Sequence, residues 1–99
     1  MARVEVEIGS WLRERFDGGR GRLVLEEEIG EGWVLMDLLD QLAAEFEAFA
    51  EVVFDRRRQR LHSHIRVVIN GHLLRSLREL DIELKDGDRI AFFPAYAGG

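Results

Sequence analysis

The sequence contains no cysteine, only one proline and no long apolar segment. Without cysteine the chain has no disulfide, no thiolate nucleophile and no Cys-based zinc or iron–sulfur site. A membrane-spanning helix needs about 20 consecutive apolar residues, and no run in this sequence approaches that length. The first residues alternate in polarity and do not resemble the apolar centre of a signal peptide. We therefore expect a cytoplasmic protein that makes no membrane contact.

Charge and length narrow the possible functions further. The chain has 99 residues, with 19 acidic and 14 basic side chains and a net charge of -5. Such an acidic balance argues against general nucleic-acid binding, which needs a positive field. The length is that of one small domain. The arginine-rich run at 56–60 lies in a polar stretch, 55–64, that we expect to be a solvated loop, with a phosphate-binding patch as the alternative.

The chain opens with a predicted two-stranded hairpin. Residues 3–8 alternate strictly, with Val4, Val6 and Ile8 on one face, which is typical of a half-buried strand. A second strand is predicted at about 22–29, after a glycine-rich turn at 17–21. The connection between the strands contains Trp11, Leu12 and Phe16.

The middle of the chain changes to helical periodicity. Apolar residues recur at three- and four-residue spacings between Val34 and Val53, which predicts one long amphipathic helix. No Ser, Thr, Asp or Asn stands at the expected start, so the pattern does not define where the helix begins. Its end is expected between residues 47 and 54. The stripe consists of Val34, Leu35, Leu38, Leu39, Leu42, Phe46, Phe49, Ala50 and Val53.

Further strands follow the helix. Residues 65–69 alternate as a strand, and Asn70-Gly71 predicts a tight hairpin turn because both residues tolerate positive φ. Residues 86–88 predict another turn rather than a calcium loop. Residues 89–93 form the last predicted strand, and Pro94, which has no N–H, is expected to end its pairing. The elements predict an α+β fold, a mixed sheet of four to five strands packed on one long helix.

Few residues of the chain suit catalysis or metal binding. There is no threonine and one tyrosine, and neither Ser10 nor Ser63 lies in a nucleophile-elbow motif. His62 and His64 are two residues apart and would point the same way on a strand, so a metal pair is one reading. Exposed loop imidazoles are the alternative that we favour, because no third ligand is evident. We expect no metal site and no bound cofactor.

The chain ends in Gly98-Gly99, after a strand, a proline and a short apolar segment. Glycine has no Cβ, so such a strip can enter a narrow active site that excludes bulkier residues. Its terminal carboxylate would be free for activation by another enzyme. An inert, floppy terminus or a truncated chain remains the alternative on spacing alone.

Three segments resemble the ubiquitin-related β-grasp sulfur carriers, above all the small subunit of molybdopterin synthase and its thiamine-pathway relative. They are Ile65–Gly71, Leu80–Ile90 and Phe92–Gly99, which carry the Asn-Gly turn, the Asp-Gly-Asp turn and the Phe-Phe-Pro…Gly-Gly tail. The likeness covers nearly the whole chain. Ala95 replaces the family's usual second proline, Tyr96 replaces a small aliphatic residue, and residues 47–64 are longer than in the shortest members.

The resemblance implies a specific chemistry at Gly99. An adenylating, E1-like partner would use ATP to activate the Gly99 carboxylate, and sulfur would then displace AMP to leave a thiocarboxylate. In molybdopterin synthesis that sulfur passes to a pyranopterin precursor inside a large synthase subunit. The chain would be a protein co-substrate or small subunit and not an enzyme on its own. We expect a β-grasp domain at 1–94 and a flexible tail at 95–99.

Strand alternation combined with this fold predicts a docking surface. If Ile90 and Phe92 face the helix, Ala91 and Phe93 face outward, and Val68 on a neighbouring strand joins them. Exposed apolar patches often mark partner sites. A loop or the chain's own end covering Phe93 is the alternative. The predicted partner-binding residues are Val68, Ala91, Phe93, Pro94, Tyr96, Ala97 and Gly98.

Other functions remain open at this stage. Within the sulfur-carrier class, the acceptor pathway could instead be tRNA thiolation, thiamine synthesis or cysteine synthesis. The second reading is a ubiquitin-like modifier whose Gly99 forms isopeptide bonds, and the third is an interaction-only module with an inert tail.

Overall fold

The computed structural model describes residues 2–74 and 80–95. Seven strands and three helices follow one another in these ranges. They are β1 (Ala2–Ile8), α1 (Ser10–Asp17), β2 (Leu23–Ile29), α2 (Leu35–Glu45), α3 (Glu47–Val52), β3 (Phe54–Asp55), β4 (Arg60–Leu61), β5 (Ile65–Ile69), β6 (His72–Leu73) and β7 (Arg89–Pro94).

Five of these strands form one mixed sheet in the order β2-β1-β7-β5-β6. The central pair, β1 and β7, is parallel, whereas β2 pairs with β1, and β5 with both β7 and β6, in antiparallel fashion. The first and last strands of the chain therefore lie side by side in the middle of the sheet. The α+β fold and the strand number predicted from the sequence are confirmed.

One face of the sheet, the inner face, packs against the helices. Val6, Ile90 and Leu25 lie in one row across it, set by the pairing register. Phe92 on β7 meets Phe49 of α3 edge-to-face, with ring centroids 5.2 Å apart. These contacts belong to a single hydrophobic core, which includes the alternating apolar residues predicted on β1.

The predicted single long helix is wrong in one respect: it is two helices. Phe46 has an extended backbone (φ -123°, ψ 114°) and separates α2 from α3. Its ring lies 4.6 Å from that of Phe16 on α1. The apolar stripe continues through the break, so periodicity alone does not reveal one extended residue. The start of α2 is stabilised by Asp37, whose carboxylate accepts the Val34 N–H at 2.9 Å.

Two short elements were missed by the sequence analysis. The connection after β1 contains α1, which buries Leu12 and ends at Gly18 in the left-handed conformation (φ 79°). The stretch 55–64, expected to be a solvated loop, has an exposed turn at 56–59, but Asp55 of β3 pairs there with Arg60 of β4, so it is part of a short hairpin. The predicted Asn70-Gly71 turn is confirmed, with φ values of 50° and 83°.

Candidate docking surface and tail exit

The end of β7 fixes where the C-terminal residues leave the sheet. The Ala95 N–H donates to the His64 carbonyl at 2.7 Å, which extends the pairing between β7 and β5. Ala95 is the first residue of the predicted tail, yet its backbone is still hydrogen-bonded to the residue that precedes β5. Tyr96, Ala97, Gly98 and Gly99, the remaining predicted tail residues, lie outside the described residues.

Pro94 does not end the strand pairing, contrary to the prediction. In an antiparallel pair, alternate residues exchange backbone hydrogen bonds with the partner strand. Arg89 and Ala95 both bond to the β5 side, so Pro94, of opposite parity, turns its nitrogen toward the β1 side. The described pairing of β1 with β7 stops at Glu7 and Ala91. The missing N–H of Pro94 therefore faces an edge where no strand pairs with it, and the ladder to β5 is unaffected.

Trp11 contacts this same edge of β7. After Ile8 the chain turns into α1, so β1 no longer pairs with the last residues of β7. The Trp11 indole Nε1 donates to the Phe92 carbonyl at 3.0 Å, in place of a strand donor. A partly buried carbonyl without a partner is costly. Trp11 and β5 therefore hold the tail exit from both sides.

The outward face of the sheet carries an apolar surface. Glu7 pairs with Val24 and with Ala91, and Val68 pairs with Ala91 and with Leu73, so these residues share one row on one face. Phe93 lies two residues beyond Ala91 on the same face. We call the apolar members of this face the outer patch. They are Val24, Val68, Leu73, Ala91 and Phe93.

The outer patch includes all three large apolar side chains that are exposed in the described part of the chain. Val24 is 43% exposed, Leu73 56% and Phe93 44%. The predicted inward placement of Ile90 and Phe92 and outward placement of Phe93 are therefore confirmed. Exposed apolar side chains contribute little to the stability of the fold. A group of them on one face is therefore typical of a site where a partner binds.

Ala91 departs from the prediction, because only 8% of it is exposed. It lies on the outward face but in the central strand, with Glu7 on one side and Val68 on the other. These longer side chains cover its single methyl group. Val68 itself is half-buried. The accessible part of the outer patch is thus at Phe93, Leu73 and Val24.

Charged side chains border the outer patch. Arg66 lies opposite Phe93 on β5 and donates to backbone carbonyls of Ser63 and Ile65. In the next row, Arg89 binds Glu5 at 2.8 Å. Glu7, which lies between Val24 and Ala91 in the row of the patch itself, binds Arg22 at 3.3 Å. An apolar centre with a polar rim is the usual arrangement of a protein–protein interface.

The other candidate sites have structural explanations. His62 Nε2 lies 3.0 Å from the Ala50 carbonyl, so that imidazole is engaged with the backbone. Among residues 2–74 and 80–95, no three His, Asp or Glu side chains form a group able to hold a metal. An open groove of about 720 Å³ lies at the opposite end of the sheet from Ala95, lined by Arg3, Glu26 and Arg89 among others. Its arginines are paired with glutamates.

The perturbed carboxyl groups lie away from the outer patch. Hydrogen bonds from Arg13 and from the Gly19 N–H lower the pKa of Asp17, and bonds from Arg56 and Gln59 lower the pKa of Asp40. Burial, with repulsion from Glu45, raises the pKa of Glu27. Each shift follows from a contact within the fold, so none of these groups identifies a catalytic centre.

No helix in the described ranges combines the length and apolar character needed to cross a membrane.

Comparison with known proteins places the chain in a family. The sequence profile of the ThiS family matches residues 11–99, whereas no curated protein matches significantly. Small archaeal modifier protein 1 (SAMP1) from Methanosarcina acetivorans is 32% identical, with a TM-score of 0.69 over 100% of this chain and 98% of that one. SAMP1 from Haloferax volcanii is 26% identical, with a TM-score of 0.74 over 99% and 100%.

A third solved structure is the BexX/CysO complex of Amycolatopsis orientalis, in which the matched chain is 29% identical with a TM-score of 0.67. The alignment covers 97% of this chain and 99% of that one. The predicted resemblance and the β-grasp fold are confirmed by these matches. The chain belongs to the ThiS family of ubiquitin-like, β-grasp sulfur carriers.

Proposed function

We propose that Gly99 is converted to a thiocarboxylate that donates sulfur in molybdopterin synthesis. The observation that carries this proposal is the end of β7: Ala95, the last described residue before the tail, is hydrogen-bonded to the His64 carbonyl two residues after the exposed ring of Phe93. The family match that runs through residue 99 supports the same reading. The chain acts in this scheme as a protein co-substrate in the cytoplasm, and other enzymes perform the chemistry.

The reaction begins at the Gly99 carboxylate. A carboxylate oxygen attacks the α-phosphorus of ATP in an adenylating enzyme, forming an acyl-adenylate and releasing pyrophosphate. The terminal sulfur of a persulfide then attacks the acyl carbon and AMP leaves. A thiol reductant cleaves the resulting S–S bond, which leaves the thiocarboxylate on Gly99. Adenylation supplies the leaving group that a free carboxylate lacks, and the partner's site supplies positioning and charge stabilisation.

The last two residues of the tail suit this role because glycine has no side chain. Gly98 and Gly99 have no side chains, so the strip can enter a site too narrow for other residues. Pro94, Tyr96 and Ala97, which precede the two glycines in the sequence, are proposed to contact the wall of that site. The sequence has no cysteine that could hold the sulfur on a side chain.

The outer patch is proposed to dock the adenylating enzyme and, in turn, the large synthase subunit. Phe93 is one residue before Pro94, so a partner that covers Phe93 is also next to the tail exit. Burying the exposed ring would give binding energy at the place where the tail must be guided. Val68 and Ala91 form the floor of that contact, and Leu73 and Val24 its sides.

An intact-mass measurement tests the proposal. The chain is co-expressed with its adenylating enzyme and a sulfur source, and purified with and without the large synthase subunit and pyranopterin precursor. We expect a species heavier by the difference between sulfur and oxygen, lost on deletion of Gly99 and consumed when the precursor is present. A charged species that no pterin precursor discharges would leave the carrier chemistry standing but overturn the assignment to molybdopterin. No mass change under conditions that charge a known carrier would overturn the whole proposal.

A second function, protein modification, is favoured by the 32% identity to a small archaeal modifier protein. In that case Gly99 would form isopeptide bonds with lysines of other proteins. The only lysine of this chain is Lys85, so self-linkage would be restricted to one site. Adducts in cells that persist in Lys85→Arg and vanish on deletion of Gly99 would support this second function.

A further inference from the structure

The β3–β4 hairpin, residues 54–61, is the most basic element of an otherwise acidic protein. It contains Arg56, Arg57, Arg58 and Arg60 against the single Asp55, in a chain of net charge -5. We call it the basic hairpin. The proposed sulfur chemistry does not require a positive charge at this position, so any arginine here that the fold does not use needs a separate explanation.

Two of the four arginines hold the hairpin in place. Arg56 Nε donates to the Asp40 carboxylate on α2 at 3.0 Å, and the Gln59 amide donates to the same oxygen at 3.0 Å. Arg58 pairs with Asp55 at 3.6 Å. Asp55 also accepts the N–H groups of Arg57 and Arg58. The hairpin is therefore tied to α2, and its tip has a defined geometry.

The other two arginines are not used by the fold. Arg57 and Arg60 are exposed, and their guanidinium groups make no ion pair or hydrogen bond with residues 2–74 or 80–95. A fixed backbone thus presents two uncompensated positive charges to solvent. Arginine is well suited to carboxylate recognition, because its planar guanidinium matches a carboxylate in a two-point contact.

The basic hairpin lies at the end of the sheet from which the tail leaves. β4 ends at Leu61, and His62 and Ser63 lead directly to His64, whose carbonyl binds the Ala95 N–H. A small cavity of about 350 Å³ lies beside this link, lined by Arg58, Arg60 and His62 among others. Arg66, opposite Phe93, continues the positive charge to the margin of the outer patch.

We propose that Arg57 and Arg60 dock on a carboxylate-rich protein surface beside the site that adenylates the tail. This inference rests on the proposed function and adds to it the chemistry of the partner's surface. A protein partner fits better than a nucleic acid, because the protein as a whole is acidic and the hairpin tip presents arginines without an aromatic residue on which bases would stack. Charge complementarity at an interface margin acts mainly on the rate of association and on the choice of partner.

The test is the kinetics of adenylation with charge-reversal variants. Arg57→Glu and Arg60→Glu are compared with Lys85→Glu, an exposed residue before β7, at the opposite end of the sheet. All three variants change the net charge equally. The measured quantity is ATP-dependent pyrophosphate release by the adenylating enzyme, resolved into kcat and KM for the chain.

We expect each arginine variant to lower kcat/KM roughly tenfold through KM, with kcat unchanged. Lys85→Glu should change it less than about twofold. Arg60→Lys should fall between wild type and Arg60→Glu, because it keeps the charge but loses the two-point contact. Added salt should narrow the difference between wild type and variants, since exposed charges are screened. Equal effects of the arginine and lysine variants, or no effect of either, would overturn the proposal.

A binding measurement separates this proposal from the proposed function. A chain lacking Gly99 cannot be adenylated there, yet it should bind the enzyme with the same dependence on Arg57 and Arg60. Binding that is lost in the arginine variants while no thiocarboxylate ever forms would support the docking surface and overturn the sulfur chemistry. Wild-type chain that does not bind the enzyme, or arginine variants that lose affinity only for a single-stranded RNA probe, would overturn the docking surface.

Discussion

The two faces of the five-stranded sheet are built from the same strands, but the side chains of one face are buried and those of the other are in contact with solvent. On the inner face, Val6, Ile90 and Phe92 are at most 2% exposed and pack against the helices. On the outward face, Phe93 is 44% exposed, and the ion pair between Arg89 and Glu5 lies on the same face. Neighbouring residues of one strand, Phe92 and Phe93, thus have opposite environments.

This difference separates the residues that fold the protein from those available to a partner. Burial of an inner-face side chain contributes free energy to folding, so its apolar character has a structural cause. The exposed part of the Phe93 side chain contributes little free energy to folding, so folding does not explain why an apolar residue stands there. Interaction with a second protein is the cause that we propose.

The largest expected contrast is between the adjacent phenylalanines. Phe92→Ala should lower the free energy of unfolding by about 3–5 kcal/mol, because it leaves a cavity against Phe49. Phe93→Ala should change it by no more than about 0.5 kcal/mol. Urea unfolding of both variants measures this contrast, and similar losses in the two would contradict the division between the faces.

A charge placed in the outer patch should lower the affinity for a partner but leave the stability of the fold nearly unchanged. Phe93→Asp is expected to weaken the complex with the adenylating enzyme by about 2 kcal/mol, roughly 30-fold, because it places a charge in an apolar contact. Its unfolding midpoint should remain close to that of the wild type. Titration calorimetry with the enzyme gives the affinity; an unchanged affinity in a folded variant would remove the outer patch from the interface.

The end of β7, where the tail begins, is held by a hydrogen bond from Trp11 to the Phe92 carbonyl. Substitution of Trp11 tests how much that bond contributes. Trp11→Phe keeps an aromatic ring but removes the donor to the Phe92 carbonyl. We expect a loss of about 1–2 kcal/mol in the free energy of unfolding. Faster amide exchange at Ala95, with the centre of β1 unaffected, should accompany that loss. Uniform exchange changes across the sheet would indicate that Trp11 acts only through the core.

The smallest expected effect concerns Glu27, a charged residue on the edge strand β2 that lies on the inner face, opposite Val4. Burial and then repulsion from Glu45 raise the pKa of Glu27 above its ordinary value of 4.5. As pH falls, the folded state therefore takes up this proton at a higher pH than the unfolded state. Above the folded-state pKa, ionised Glu27 destabilises the fold. Glu27→Gln should stabilise the protein at neutral pH, by less than about 1 kcal/mol since the group is largely solvated.

The pH dependence of that variant checks the sign. The stability difference between Glu27→Gln and wild type should shrink as pH falls through the raised pKa of Glu27. Asp40 and Asp17 contribute in the opposite direction, because their pKa values are lowered by arginines. Their stabilisation is lost only as pH falls further, through the folded-state values. A difference that is constant between neutral pH and about pH 4 would contradict this account.

The sequence predicts strands and their faces well because alternation reports directly on a half-buried sheet. β1, β5 and β7 were found at or near their observed bounds, and so was the turn at Asn70-Gly71. The outward position of Phe93 followed from the same alternation. The alternation of residues 65–69 and 89–93 therefore predicts candidate docking residues from the sequence alone.

The remaining features depend on contacts that a linear pattern does not encode. The break at Phe46 leaves the apolar stripe intact, and α1 is short and has no side-chain N-cap, although Leu12, Phe16 and Gly18 carry a weak helical signal. Burial of Ala91 depends on which strands flank it. The effect of Pro94 depends on which side of β7 its nitrogen faces, and that is known only once the neighbouring strands are assigned.

The central position of β7 has a mechanical consequence. The strand is flanked by β1 on one side and β5 on the other, and its hydrogen bonds run across the strand direction. A pull on the C-terminal residues along the axis of β7 would load these bonds together in shear, whereas an edge strand could be peeled off one bond at a time. A partner that draws the tail into a deep site would therefore tension a strand that is paired on both sides, and the rest of the domain could stay folded under that load.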